Sequence, residues 1–224
     1  MDDLSRTEPA ATAPPPIDAV APWLLRVGID HSGRLDLTQL WDIAIRGAVL
    51  ADLWLTGRIS DGNETLQIDL ELTGIRYLDA AVAELVDFGD TELGWIAAGR
   101  LRAPDVAADL VASGEWTRHW SVSASRWRVY RSSGKQRYVP LRKRIPHTYD
   151  GEITPASEAE SSVALLGHAL NVVRPRRIMK QRPRATTDPL PVSACGAAAT
   201  VVGAAIVEIA SLAGSIQANS NPTW

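Results

Sequence analysis

Between Leu37 and Thr56 the apolar positions Leu40, Ile43, Ala44, Gly47, Leu50, Ala51 and Leu55 recur at helical spacing. Trp41, Ile45, Val49, Leu53 and Trp54 extend the apolar surface almost all the way round. A helix patterned like this belongs in the middle of a core, and Gly57 stops it. Tyr77–Phe88 is apolar on one side only, with Leu78, Val82, Leu85 and Val86 facing inward, and Glu92–Ala98 reads as a short third helix. Pro104 suits the first turn of a helix over Asp105–Ala112 that Gly114 closes. Ser157–Val173, closed by Pro175, and Val192–Ile216 complete the helical set. Trp23–Ile29 reads as a short strand or extended lead-in, followed by a turn at His31-Ser32-Gly33-Arg34. Arg58–Ser60 and Leu66–Leu72 flank Asp61-Gly62-Asn63-Glu64 as the arms of a hairpin. Glu115–Val122 and Arg126–Val129 read as a second hairpin, or wing, before a basic linker punctuated by Pro140 and Pro146.

The predicted fold class is mainly α: a central helical bundle wrapped by further helices, with short β-hairpins. Residues 1–22, rich in Pro, Ala and Thr, are expected to be a disordered leader. Residues 23–218 are expected to form one domain, and 219–224 a tail. The opening residues carry neither a basic start nor an apolar run, so no signal peptide is expected. A single cysteine, Cys195, excludes an intrachain disulfide and a Cys-based zinc site within one chain. Residues 194–216 are long enough to span a bilayer. They are mostly Ala, Gly and Ser with Glu208 near the middle, so a packed core helix is favoured and a tail anchor is the alternative.

Charge changes the picture more than hydropathy does. Residues 1–117 hold 8 Lys/Arg against 20 Asp/Glu, a balance of −12, whereas residues 118–184 hold 15 against 4, a balance of +11. From Arg118 to Arg144 nine cations occur with no carboxylate, interleaved with Trp120, Trp127, Tyr130 and Tyr138. Cations among interfacial aromatics suit a polyanionic surface, either an anionic membrane or a nucleic acid. The plainer reading is a solvated hairpin whose arginine stems cover apolar surface.

Recognisable reaction chemistry is missing from the sequence. It holds no glycine-rich phosphate loop, no nucleophile elbow and no paired-histidine zinc motif. His31, His119, His147 and His168 are scattered. The chain is therefore read as a binding protein, not an enzyme, with no cofactor or metal expected.

Several segments resemble, in order, the Golgi phosphoprotein 3 family. Trp23-Leu24-Leu25, then Gly33-Arg34-Leu35, then RGAVLADLWLTGRI (Arg46–Ile59) resemble the family's opening. Leu78-Asp79-Ala80-Ala81-Val82, Trp95-Ile96, DVAADLVASG (Asp105–Gly114) and SSVALLGHALNVV (Ser161–Val173) resemble later family helices, so the likeness covers about residues 23–216. The resemblance implies a mostly helical fold. It also implies a cytoplasmic, peripherally membrane-associated protein that binds phosphatidylinositol 4-phosphate and serves as an adaptor for membrane enzymes. Carried over, the head-group pocket falls on Arg46 and Arg100. The second pocket arginine falls on Ala103 with Arg102 beside it, and the nearest tryptophan is Trp41. The family hairpin that dips into lipid corresponds to Trp120, Arg126, Trp127, Arg128, Tyr130 and Arg131. The runner-up is a winged-helix-like nucleic-acid-binding protein that uses the basic hairpin 118–144. Against it, Asp105, Asp109 and Glu115 put negative charge where phosphates would sit.

Overall fold

A computed structural model describes residues 18–30, 32–61, 66–88, 92–120, 128–132, 134–172 and 189–220. Most of the expected leader, the Gly62-Asn63-Glu64 turn, the hairpin tip with Arg126 and Trp127, Pro175 and the last four residues of the tail lie outside the described residues.

Among the described residues the protein is mainly helical, with small antiparallel sheets. The chain runs through α1 (Val20–Gly28), β1 (Arg34–Asp36), α2 (Gln39–Leu55), β2 (Ile59–Asp61), β3 (Leu66–Ile68), α3 (Arg76–Phe88) and α4 (Glu92–Ala98). It continues through α5 (Ala103–Ala112), β4 (Trp116–Trp120), β5 (Arg128–Ser132), α6 (Val139–Tyr149), α7 (Glu158–Ala169) and α8 (Ala199–Ser220). Helix α2 is the axis, with every residue from Ile43 to Leu53 buried, as its all-round apolar pattern requires. It packs against α1, α4, α7 and α8. Where α2 crosses α8, a methyl group on Gly47 would overlap the Cβ of Ala205. The glycine is thus what lets these two backbones approach.

Three expectations are corrected. Trp23–Gly28 is helical, not a strand, and Ile29 follows the helix end. The run is too short for its period alone to choose between strand and helix, and tertiary contacts decide it. Asp52 on α2 accepts the N–H groups of Val20 (2.5 Å) and Ala21 (3.0 Å), taking up two of the four donors that a helix start leaves without partners. Pro22 in the first turn has no N–H to satisfy. Second, the expected linker between Tyr138 and Asp150 is helix α6. Pro140 sits in its first turn, and the helix passes through Pro146 because Leu141, Ile145 and Thr148 bury one face against the body. Third, the supposed turn at Arg34 opens β1, which pairs antiparallel with β5.

The expected single last helix is divided. A short 3-10 segment over Val192–Ala198, interrupted at Gly196 with φ 58°, precedes α8. Val192–Ser215 is long and apolar enough to cross a membrane by length and composition. In this fold it packs along α2, α4 and α7 with Val201, Val202, Ala205 and Ile209 buried.

Candidate anionic-surface interface

The hairpin β4–β5 and strand β1 form a three-stranded antiparallel sheet in the order β1-β5-β4. The register places Leu35 opposite Tyr130, and Trp116 opposite Ser132. Leu35, Tyr130 and Trp116 are all buried, with the Trp116 and Tyr130 rings 6.0 Å apart. The base of the hairpin is therefore rooted in the core. Alternate residues point the other way, and there Thr117, His119 and Arg131 are exposed; Arg118, also exposed, lies on the Tyr130 side further along β4.

A polar knot holds this base to the body. Arg26 on α1 lies 4.5 Å over the Trp23 ring and donates from Nε and Nη2 to Glu115 at 2.9 and 3.0 Å. The Tyr138 hydroxyl donates to the same carboxylate. Burial raises the Glu115 carboxyl, but the hydrogen bonds from Arg26 and Tyr138 outweigh it and hold the pKa below the usual range. Tyr138 leads into α6, so the knot joins α1, the hairpin and α6.

On α6 the cations differ in their surroundings. Arg144 is pinned to the buried Glu160 at 2.6 Å, and the Thr148 hydroxyl and the Ala156 N–H donate to that same carboxylate. Arg142 is half-buried; burial lowers its pKa and nearby Asp30 opposes this. Lys143 and, just before α6, Arg137 are exposed.

The four residues carried over as a head-group pocket do not converge on one opening. Arg46 is only 5% exposed, and its guanidinium donates to the carbonyls of Ile96 (2.6 Å), Ala97 (3.1 Å) and Leu101 (3.1 Å). It clamps the end of α4 and the segment that follows, where a cation suits the free carbonyls of a helix terminus. Burial pulls its pKa down, with Asp42 and Glu84 opposing. Trp41 is buried over Gly28, where a Cβ would overlap its ring. Arg100 is exposed, 3.5 Å from Glu84, whose carboxylate takes the N–H groups of Arg100 and Leu101. Arg102 is exposed at the start of α5 and donates its N–H to Asp105 at 2.8 Å. A groove of about 410 Å³ between α3 and α5 includes Arg100 on its rim but none of the other three. Its charges are mixed, with Arg76 paired to Asp109 at 2.6 Å.

Of the hairpin residues expected to meet lipid, Arg131 is exposed and Tyr130 is a core residue. Positions 120 and 128 face each other in the register; Arg126 and Trp127 are outside the described residues. Arg34, which the register places beside Arg131, is not legible as its neighbour in the sequence, which reads Arg34 as part of a turn. No family model matches this chain and a search of curated proteins finds no match, so the arrangement of charge and burial has to carry the functional reading.

Proposed function

We propose that this protein binds anionic phospholipid head groups as a peripheral membrane protein, docking reversibly through the face made by the β4–β5 hairpin and the outer side of α6. One observation carries the reading. Most cations elsewhere are committed: Arg26 to Glu115, Arg58 to Asp69, Arg76 to Asp109, Arg100 to Glu84, and Arg46 to three carbonyls, whereas Arg102 at the start of α5 is exposed. Arg131 and Lys143 are exposed and make no ion pair among the described residues, and Arg137 is exposed and attracted by Glu115, whose carboxylate Arg26 already holds. Each cation held near an anionic bilayer contributes about 1 kcal/mol at low salt. Three give about 3 kcal/mol, which suits reversible docking rather than permanent anchoring. Phosphatidylinositol 4-phosphate as the head group, a cytoplasmic location and an adaptor role toward membrane enzymes belong to the same proposal, and rest on the family resemblance alone.

The test is co-sedimentation with phosphatidylcholine vesicles, with and without phosphatidylglycerol, at low and high salt. The expected outcome is retention on anionic vesicles only, weakened by salt, and lost in Arg131→Glu with Arg137→Glu and Lys143→Glu. Equal retention on neutral vesicles, or full retention by the triple variant, sinks the proposal.

One observation favours a nucleic-acid reading: α5 runs directly into the β4–β5 wing, as in a winged helix, with β1 completing the sheet. Its own chemistry opposes it. Asp105 is exposed on α5, and Asp109 is tied to Arg76 of α3, which packs beside α5. Phosphates would meet carboxylates on the helix meant to enter the groove. A gel shift with duplex DNA across a salt series that shows tight, saturable binding would promote this reading over the first.

A further inference from the structure

Helices α3 and α5 are tied together at two ends and left apart in between. At one end Arg76 of α3 donates from Nη2 to Asp109 of α5 at 2.6 Å. At the other, about 12 Å further along α3, the Glu84 carboxylate takes the N–H groups of Arg100 and Leu101 and so stitches the segment before α5 onto α3. Between the ties the lining is Ala80 of α3 and Ala108 of α5. A single methyl group from each side leaves the gap unfilled, whereas a close-packed helix pair would place larger side chains there. What remains is an open groove of about 410 Å³, and the buried Tyr77 and Leu101 complete its apolar lining. That volume is near the lower end of the range for small-ligand sites, about 300–1,000 Å³.

The charged groups on this groove are unequally committed. Arg76 is held close by Asp109. The Arg100 side chain is 82% exposed, and Glu84 lies 3.5 Å from its Nε with both carboxylate oxygens already taking N–H groups. Asp105 on α5 is exposed; its Oδ2 accepts the Arg102 N–H at 2.8 Å, and its Oδ1 makes no hydrogen bond among the described residues. The groove therefore offers one loosely held guanidinium fork and one spare carboxylate oxygen beside an apolar lining. A plain anion would meet Glu84 and Asp105 there, and a plain cation Arg76 and Arg100; only a ligand that carries both signs is complementary. We propose that the groove between α3 and α5 binds a small apolar zwitterion, an amino acid or short peptide, with its carboxylate on Arg100, its ammonium on Asp105 and its side chain against Ala80 and Ala108. A planar guanidinium fork takes both oxygens of one carboxylate at once. The site shares no residue with the lipid-docking face and does not depend on the membrane reading.

The probe is the dipeptide leucyl-leucine, titrated calorimetrically into the full chain without lipid. It is expected to bind, with its N-acetylated and C-amidated forms each weaker by about tenfold. Arg100→Gln should weaken leucyl-leucine about tenfold and should not weaken the amide, which has no carboxylate to lose. Asp105→Asn keeps an acceptor for the Arg102 N–H; it should weaken leucyl-leucine by a similar factor and should not weaken the N-acetyl form. Ala80→Leu fills the groove and should abolish binding of all three peptides. Ala80 is exposed on α3, so the larger side chain leaves the core undisturbed, which the urea midpoint checks. If Ala80→Leu unfolds more easily than the parent, Arg100→Gln carries the test alone, because it changes an exposed side chain. The site is overturned if the parent gives no heat of binding with millimolar leucyl-leucine, or if the blocked and free dipeptides bind equally well. It is overturned as well if Arg100→Gln weakens the amide as much as the free dipeptide, or if a folded Ala80→Leu binds like the parent.

Discussion

Replacing Arg46 with alanine separates a structural clamp from a lipid ligand. The Arg46 guanidinium holds three carbonyls, those of Ile96, Ala97 and Leu101, and the Nε and Nη1 bonds are buried. A buried acceptor left without a donor costs about 1–3 kcal/mol. Ala97 is exposed, so its carbonyl regains water, and the loss rests mainly on the other two. The expected destabilisation is about 3–5 kcal/mol, a large share of the roughly 5–15 kcal/mol that keeps a domain folded. With a denaturant slope near 2.5 kcal/mol per molar urea, the unfolding midpoint should drop by about 1.5 M at unchanged slope. Arg46→Lys keeps the charge but cannot span three acceptors, and should recover about half of the loss. The assay is urea unfolding followed by tryptophan fluorescence, run alongside vesicle retention at a temperature where the variant is folded. A midpoint within about 0.3 M of the parent, together with lost vesicle retention, would refute the clamp and restore Arg46 as a head-group ligand.

Other perturbations probe the same framework. Asp52 is fully buried, and burial raises its pKa to about 7 against the pull of the Val20 and Ala21 N–H groups. A carboxyl whose pKa is raised by folding adds stability that is fully present below the unfolded value near 3.8 and lost as pH climbs through about 7. The parent should therefore lose stability relative to Asp52→Asn between about pH 4 and 7, with a slope approaching 1.4 kcal/mol per unit; a difference that stays constant across that window refutes this. Gly47→Ala forces a methyl group into Ala205 at the crossing of α2 and α8, and should cost about 1–3 kcal/mol by urea unfolding; an unchanged midpoint would mean that the helices can slide apart freely. Glu160→Ala strands Arg144 and the Ala156 N–H, and should cost about 3–5 kcal/mol, whereas changing Arg144 and Glu160 together to apolar residues should recover part of the loss.

What the sequence determined by itself was whatever depends on counting along the chain. Helix α2 was legible because its apolar positions surround the helix, and only a buried site tolerates that. The mainly helical class and the segregation of positive charge after residue 117 were legible for the same reason. The tertiary structure decided the elements whose local pattern was ambiguous. The lead-in Trp23–Gly28 became helical because a carboxylate some thirty positions away on α2 receives the first N–H groups of α1. The linker at Pro140 and Pro146 became α6 because α7 offered a face to bury Leu141 and Ile145. The candidate site divided along the same line. The cationic character of residues 118–144 was plain, but periodicity carries no information about long-range partners. Only the fold could show that Arg46 is turned inward onto carbonyls, that Tyr130 is rooted in the core, and that Arg34, distant in sequence, stands directly against Arg131.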